Sequence, residues 1–272
     1  MTLVKRALVT MILLPIGIAA IVWGGWVYLA VITIFLGLAA VEYAALWRAG
    51  GFQPAGVLVV ASVVALAVAR YMGGVETAAA WLSAAVLLSM TYHLVQYERG
   101  RDQAATDFAI TLTGILYLGW IGPYMISLRD LADGLWWVLL VLPAAWLGDT
   151  GAYLIGSRFG RHPLTPRLSP KKTWEGYLGG VACGVLGGLG LALWYPTLGA
   201  PPEINLLSGG LVGLAMGVFP TLGDLGESMI KRQIGVKDSG RLLPGHGGAF
   251  DRIDSWLWAA VIGYYMVVYL FI

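Results

Sequence analysis

The residues able to do chemistry lie in two stretches of the C-terminal half. The first runs from Gly223 to Ser255. In it Asp224, Glu227, Ser228 and Lys231 stand at i, i+3, i+4 and i+7, so a helix continuing past Gly223 puts all four on one face. Asp251 and Asp254 repeat the i, i+3 spacing where the last helix begins. A single acid at a helix N-terminus is explained by the macrodipole. Two acidic pairs facing one loop suit hard divalent cations, which take carboxylate oxygens. Between the pairs lie Lys231, Arg232, Lys237, Arg241 and Arg252, with His246-Gly247-Gly248 beside them. Carboxylates interleaved with cations suit a metal-bound polyphosphate, and glycines let backbone amides approach phosphate oxygens. Cytoplasmic loops of membrane proteins are basic on their own account, which is the plain alternative for any one Lys or Arg here. For His246 phosphate contact, loop structure and proton transfer are all open.

The second stretch runs from Asp149 to Glu175. Asp149 follows a mostly apolar run, so it falls where a helix meets water or a polar cavity. Ser169-Pro170-Lys171-Lys172-Thr173-Trp174-Glu175-Gly176 reads as a turn into a helix that Thr173 caps, with Glu175 complementing the dipole in its first turn. Lys171 and Lys172 then sit near a positive helix end that attracts anions; binding to anionic lipid at the membrane surface is the alternative.

The elements that must position these residues are membrane helices. Of 272 residues 58% are apolar and 12% are charged, about half the charge of a soluble domain. Crossing the hydrocarbon takes roughly 17–25 apolar residues. Such runs are predicted at about 7–23, 26–47, 55–72, 77–96, 107–128, 134–156, 177–197, 207–230 and 255–272. The expected fold is all-α, a polytopic helical bundle of about nine spans with a cytoplasmic N-terminus and an outside C-terminus. With that orientation all of the 17 Lys and Arg except Arg70 and Arg129 lie inside, as the positive-inside rule requires. Residues 1–130 form the N-terminal, lipid-facing helices and 131–272 the catalytic region. The glycines between Gly179 and Gly190 predict close helix–helix approach. Cys183 is the one cysteine, so no disulfide framework exists. Glu42 interrupts the second apolar run and is expected to pair with a residue of another span.

Ser228-Met229-Ile230-Lys231-Arg232, Lys237-Asp238-Ser239-Gly240, Leu243-Pro244-Gly245-His246-Gly247-Gly248 and Asp251-Arg252-Ile253-Asp254 together resemble the signature of the phosphatidate cytidylyltransferases (CDP-diacylglycerol synthases). The run Ser169–Gly176, with Gly223-Asp224 and Glu227, is similar to that family as well. The resemblance is sharp over about 150–255 and departs at no signature position. It implies a Mg²⁺-dependent nucleotidyl transfer, with one metal ion or two, in which phosphatidic acid attacks the α-phosphorus of CTP. On that footing Asp224 and Asp251 are the first metal ligands, Glu227 and Asp254 the second, and Asp149 supports the metal or a lysine. Lys171, Lys172, Lys231, Arg232 and Lys237 hold phosphates. Ser169, Ser228, Asp238, His246, Gly247, Gly248 and Arg252 complete the substrate-binding set. The resemblance also implies a multi-pass protein of the cytoplasmic membrane with its site on the cytoplasmic side, a homodimer, and no nucleic-acid partner.

Two other readings start from the same residues. Another CTP-using lipid enzyme, such as a polyprenol or phytol kinase or an archaeal-lipid cytidylyltransferase, differs in its products or its lipid tails. A cation transporter would use intramembrane acids such as Glu42, but it would spread polar residues through many spans, whereas here they gather at one face.

Overall fold

The computed structural model describes residues 3–236, 238–240 and 247–272, and leaves out the side chains of residues 3–10, 12 and 13. Among these, seven helices are long and apolar enough to cross a membrane: Gly25–Ala49, Gly56–Glu98, Ala104–Asp130, Gly134–Phe159, Trp174–Leu198, Leu206–Ile234 and Phe250–Phe271. The chain is thus an all-α polytopic membrane protein. The sequence separates nine spans where seven long helices stand, and the difference lies in two places. The apolar stretch described in the first helix is short, Leu14–Trp23. The third and fourth spans run on as one 43-residue element, Gly56–Glu98, in which non-helical backbone at Gly73 and Gly74 separates two helices where the sequence places two spans. The chain divides into two compact units, Met1–Ser127 with Lys231–Ile253, and Leu128–Ile230 with Asp254–Ile272.

In the first unit, α1 (Leu3–Trp23) and α2 (Gly25–Ala49) are joined at Gly24 and Gly25, both with positive φ. A straight helix of 43 residues would be about 65 Å long, twice the hydrocarbon thickness. Helix α3 (Gly56–Glu98) therefore breaks at Gly73 and Gly74, where φ of Gly74 is 67°. Trp26 and Tyr71, each beside one of these glycine pairs, meet edge to face with centroids 4.8 Å apart. Helix α4 (Ala104–Gly114) continues through a π-helical stretch, Ile115–Ile121, which packs on α3 through Ile115, Leu118 and Gly119. The charged segment between α3 and α4 is a clasp. Asp107, fully buried, accepts from Arg101 Nε at 2.7 Å and from the Gln53 amide at 2.8 Å. Asp107 in turn holds the Arg101 guanidinium above its ordinary pKa. Thr111 Oγ1 accepts from the Ala55 amide at 2.9 Å and is hydrogen-bonded to His93 Nε2 at 3.0 Å, so the α2–α3 loop is tied to α4.

The second unit holds α6 (Gly134–Phe159), α7 (Trp174–Trp194), α8 (Leu206–Val218), α9 (Pro220–Ile234) up to Ile230 and α10 (Phe250–Met266) from Asp254, with α5 (Tyr124–Asp130) leading in. Small residues recur every fourth position on three of these helices: Gly148, Ala152 and Gly156; Gly176, Gly180, Gly184 and Gly188; Gly209, Gly213 and Gly217. A Cβ on Gly188 would strike the Gly209 carbonyl oxygen, one on Gly213 the Gly184 carbonyl oxygen, and one on Gly176 the Ala152 carbonyl oxygen at 2.8 Å. Backbones therefore lie against backbones, the small-residue packing that membrane helices use where hydrophobic burial cannot drive association. Asn205 starts α8 with a reciprocal cap, accepting from the Ser208 amide while Ser208 Oγ accepts from the Asn205 amide. Pro220 begins α9 after a break at Phe219, so Asp224, Glu227, Ser228 and Lys231 share one helix as the spacing predicts.

Between α6 and α7 the chain forms a ribbon, β1 (Pro163–Thr165) antiparallel to β2 (Ser169–Thr173), where the sequence reads as a turn. The cap is as expected: Thr173 Oγ1 accepts from the Gly176 amide at 3.2 Å. A valine at Gly213 should lower the thermal unfolding midpoint of the detergent-purified protein by the equivalent of about 1–3 kcal/mol. Gly190→Ala, where a Cβ meets nothing within 4 Å, should leave the midpoint in place.

Candidate functional site

The second unit collects acids on α6, α9 and α10. Asp224, Glu227 and Asp254 each offer a carboxylate oxygen, and the three oxygens lie within 4.8 Å of one another. Glu227 is 1% exposed and Asp254 7%. Ser228 Oγ donates to Asp224 Oδ1 at 3.3 Å, one helical turn away. Lys172, on β2, places its ammonium 2.5 Å from Asp224 Oδ2. Asp149, on α6, has Lys172 and Asp224 as its charged neighbours. Lys172 is held in place by its own neighbour: Thr173 lies against Gly156, Gly160 and Gly176, where a Cβ would collide with it or crowd it. Glu175 closes the base of the ribbon by accepting from the Arg161 amide at 3.0 Å and the His162 amide at 3.2 Å, with His162 Nδ1 at 2.5 Å from its other oxygen. It does more there than complement the helix dipole.

The first unit holds a different constellation. Asp251 Oδ1 pairs with Lys231 Nζ at 2.6 Å, both side chains nearly buried. Asp251 Oδ2 accepts from the Ser239 amide at 3.0 Å, from Ser239 Oγ at 2.9 Å and from the Gly248 amide at 2.8 Å. Glu42 Oε2, from α2, accepts from the Phe250 amide at 2.9 Å and from Ser239 Oγ at 3.3 Å. Arg232 donates to the Val236 carbonyl at 3.4 Å, while Asp238 and Arg252 are exposed.

A family model described as the cytidylyltransferase family matches residues 4–270. The chain belongs to the cytidylyltransferase family. It is 33% identical over 294 aligned positions to a phosphatidate cytidylyltransferase of Synechocystis sp., covering 98% of this chain and 97% of that protein. It is 42% identical over 151 residues to one of Staphylococcus epidermidis and 44% over 151 residues to one of Staphylococcus aureus, each match covering 56% of this chain and 55% of the relative.

Within this cytidylyltransferase the predicted site residues regroup. The i, i+3 pair Asp251 and Asp254 does not act as a pair: Asp254 joins Asp224 and Glu227, and Asp251 takes Lys231, Ser239 and Gly248. Lys172 and Asp149 join the carboxylate group, whereas Lys171 is exposed and Ser169 half-buried on the ribbon. Gly248 is buried under Glu42 and Ser239, and its neighbour Gly247 adopts a φ of 79° beside Asp251. Lys237 and His246 lie outside the described residues. Glu42 and Ser239 are the residues that spacing did not assign to the site; an acid inside an apolar run was the available signal for Glu42.

The donor set fits a divalent cation of the Mg²⁺ type. Three carboxylate oxygens are hard ligands, and acids gathered this closely repel one another unless a cation stands among them. At Asp251, replacement by Ala removes the acceptor of the Lys231 ammonium and of three further donors at once. We expect a cost on the order of 3 kcal/mol, read as a lowered thermal midpoint in detergent. The exposed Glu76→Ala should leave the midpoint unchanged.

Proposed function

We infer that this chain is a phosphatidate cytidylyltransferase, joining CTP and phosphatidic acid to give CDP-diacylglycerol and pyrophosphate. The observation that carries the reading is the carboxylate group Asp224, Glu227 and Asp254 with Lys172 against it, in a chain alike over its whole length to a protein of that name. A phosphate oxygen of phosphatidic acid attacks the α-phosphorus of CTP; the bond from that phosphorus to the bridging oxygen of the β-phosphate breaks, and pyrophosphate leaves with the electron pair. The nucleophile is already an anion, so the protein needs no general base. Its task is to hold two negatively charged partners in line and neutralise the charge between them.

In this reading Asp224, Glu227 and Asp254 hold Mg²⁺, with Asp149 in support through Lys172. Bound there, the ion would neutralise phosphate charge and polarise the α-phosphorus. Lys171, Lys172, Lys231, Arg232 and Lys237 take the phosphates of the two substrates. Asp251 positions Lys231 and the loop amides rather than metal. Ser169, Ser228, Asp238, His246, Gly247, Gly248 and Arg252 remain the substrate-binding set. The site faces the cytoplasm, as the distribution of Lys and Arg supports, and the diacyl tails enter laterally between helices. The protein works as a homodimer.

The test is turnover in detergent with phosphatidic acid, CTP and Mg²⁺. Pyrophosphate should appear in equal amount with CDP-diacylglycerol, and should need both the lipid and the metal. Release of CDP in its place would make the protein a lipid kinase, and no turnover with any lipid phosphate would favour transport. Asp224→Asn should abolish turnover while the protein still inserts and unfolds normally. Asp254→Asn should raise the Mg²⁺ needed for half-maximal rate by roughly tenfold or more, since even outer-shell partners of a metal site cost 10- to 100-fold.

A further inference from the structure

Glu42 stands far from the signature in sequence, yet its carboxylate meets the loop that the signature forms. It lies on α2, 9% exposed, in a helix whose neighbouring positions are apolar. An ionisable group in an apolar membrane helix is costly and persists where it has work to do. Its Oε2 accepts from the Phe250 amide at 2.9 Å, the first residue of α10 and one of the amides a helix start leaves without a helical partner. The same oxygen takes Ser239 Oγ at 3.3 Å, and that hydroxyl also lies 2.9 Å from Asp251 Oδ2. Asp251 Oδ1 in turn holds Lys231 at 2.6 Å. Gly240 and Gly248 press on the Glu42 carboxylate so closely that a Cβ on either would collide with it. Glycine at both positions is thus what lets the backbone approach the acid.

We propose that Glu42 is a positioning residue for nucleotidyl transfer: it holds Ser239 and the start of α10, and through Ser239 it sets the Asp251 carboxylate that aims Lys231 at a substrate phosphate. The proposal rests on the cytidylyltransferase reading and adds a residue outside the signature to it. The work is done by Oε2 as an acceptor. Oε1 is buried with no hydrogen-bond partner among the described residues, so Glu42→Gln keeps the acceptor oxygen while burying an amide NH2 beside Gly240.

The experiment is steady-state pyrophosphate release against CTP concentration for the full-length protein in detergent, with thermal midpoints recorded alongside. Glu42→Ala should lower kcat/KM for CTP by about 10- to 100-fold in protein that remains folded, the scale of a misplaced catalytic group. Glu42→Gln, which keeps the acceptor oxygen, should lose less than Glu42→Ala. Ser239→Ala should fall between them, and Glu42→Ala with Ser239→Ala should be no worse than Glu42→Ala alone to within about twofold, because both act along one path. A merely structural role would reduce the folded fraction and leave KM for CTP unchanged. Parental kinetics in Glu42→Ala, or independent losses that multiply in the double variant, overturn the proposal. If Glu42→Ala does not fold, parental kinetics in Ser239→Ala overturn it. Amide hydrogen exchange judges the clamp without turnover: the Ser239 and Phe250 amides should exchange at least about tenfold faster in Ser239→Ala or Glu42→Ala. Unchanged exchange sinks the clamp whatever the reaction is, whereas absent lipid-dependent turnover in the parent sinks only the reading beneath it.

Discussion

A carboxylate that packed helices take out of water has to be met where it stands by a cation or by hydrogen-bond donors, and the organisation of this chain follows from that demand. The acids of this chain meet it in different ways. Asp107 is served by Arg101 and by the Gln53 amide, so it ties a loop to a helix and needs nothing from outside. Asp251 is served by Lys231, Ser239 and Gly248, and orients a cation. Asp224, Glu227 and Asp254 are different in kind, because they bring like charges within 4.8 Å. Stability alone would separate such groups; bringing them together makes sense where a cation is to be held.

Holding those groups in register falls to helices with almost no side-chain surface between them. The glycines of α6, α7 and α8 let the three backbones touch, so their relative positions are set by atoms that cannot change rotamer. Thr173 works at the end of this frame, capping α7 while sitting against Gly156, Gly160 and Gly176. Lys172 is the next residue along, so its approach to Asp224 inherits that rigidity. The glycines thus act on the site through the frame they set.

Much of this was legible in the sequence because it depends on local order. Apolar run length marks the membrane helices, i, i+3, i+4 spacing puts Asp224, Glu227 and Ser228 on one face, and Thr173 ahead of Glu175 and Gly176 marks a helix start. What spacing could not supply is which neighbour a side chain chooses once helices pack. Asp251 and Asp254 are one turn apart, and their different partners are decided by what packs around α10. Glu42 finds Phe250 across 208 residues, beyond the reach of any periodicity. The ribbon Pro163–Thr173 was hidden too: Ser169–Gly176 reads as a turn, and the pairing of Ser169–Thr173 with Pro163–Thr165 is set by what meets across it.

The start of α10 is where these threads converge. A helix beginning at Phe250 fixes in one step where Asp251 and Asp254 fall around its axis, because each residue turns the direction by about 100°. A shift of that start by one residue would rotate both acids away from their partners together. The Phe250 amide is the natural point of control, since a helix start leaves its first amides to be satisfied by something outside the helix. Here that something is an acid on α2, whose Oε2 also takes the Ser239 hydroxyl. An acceptor that reads backbone position fixes register in a way that a salt bridge between long side chains does not. This gives the one acid of an apolar helix a part in placing the start of α10.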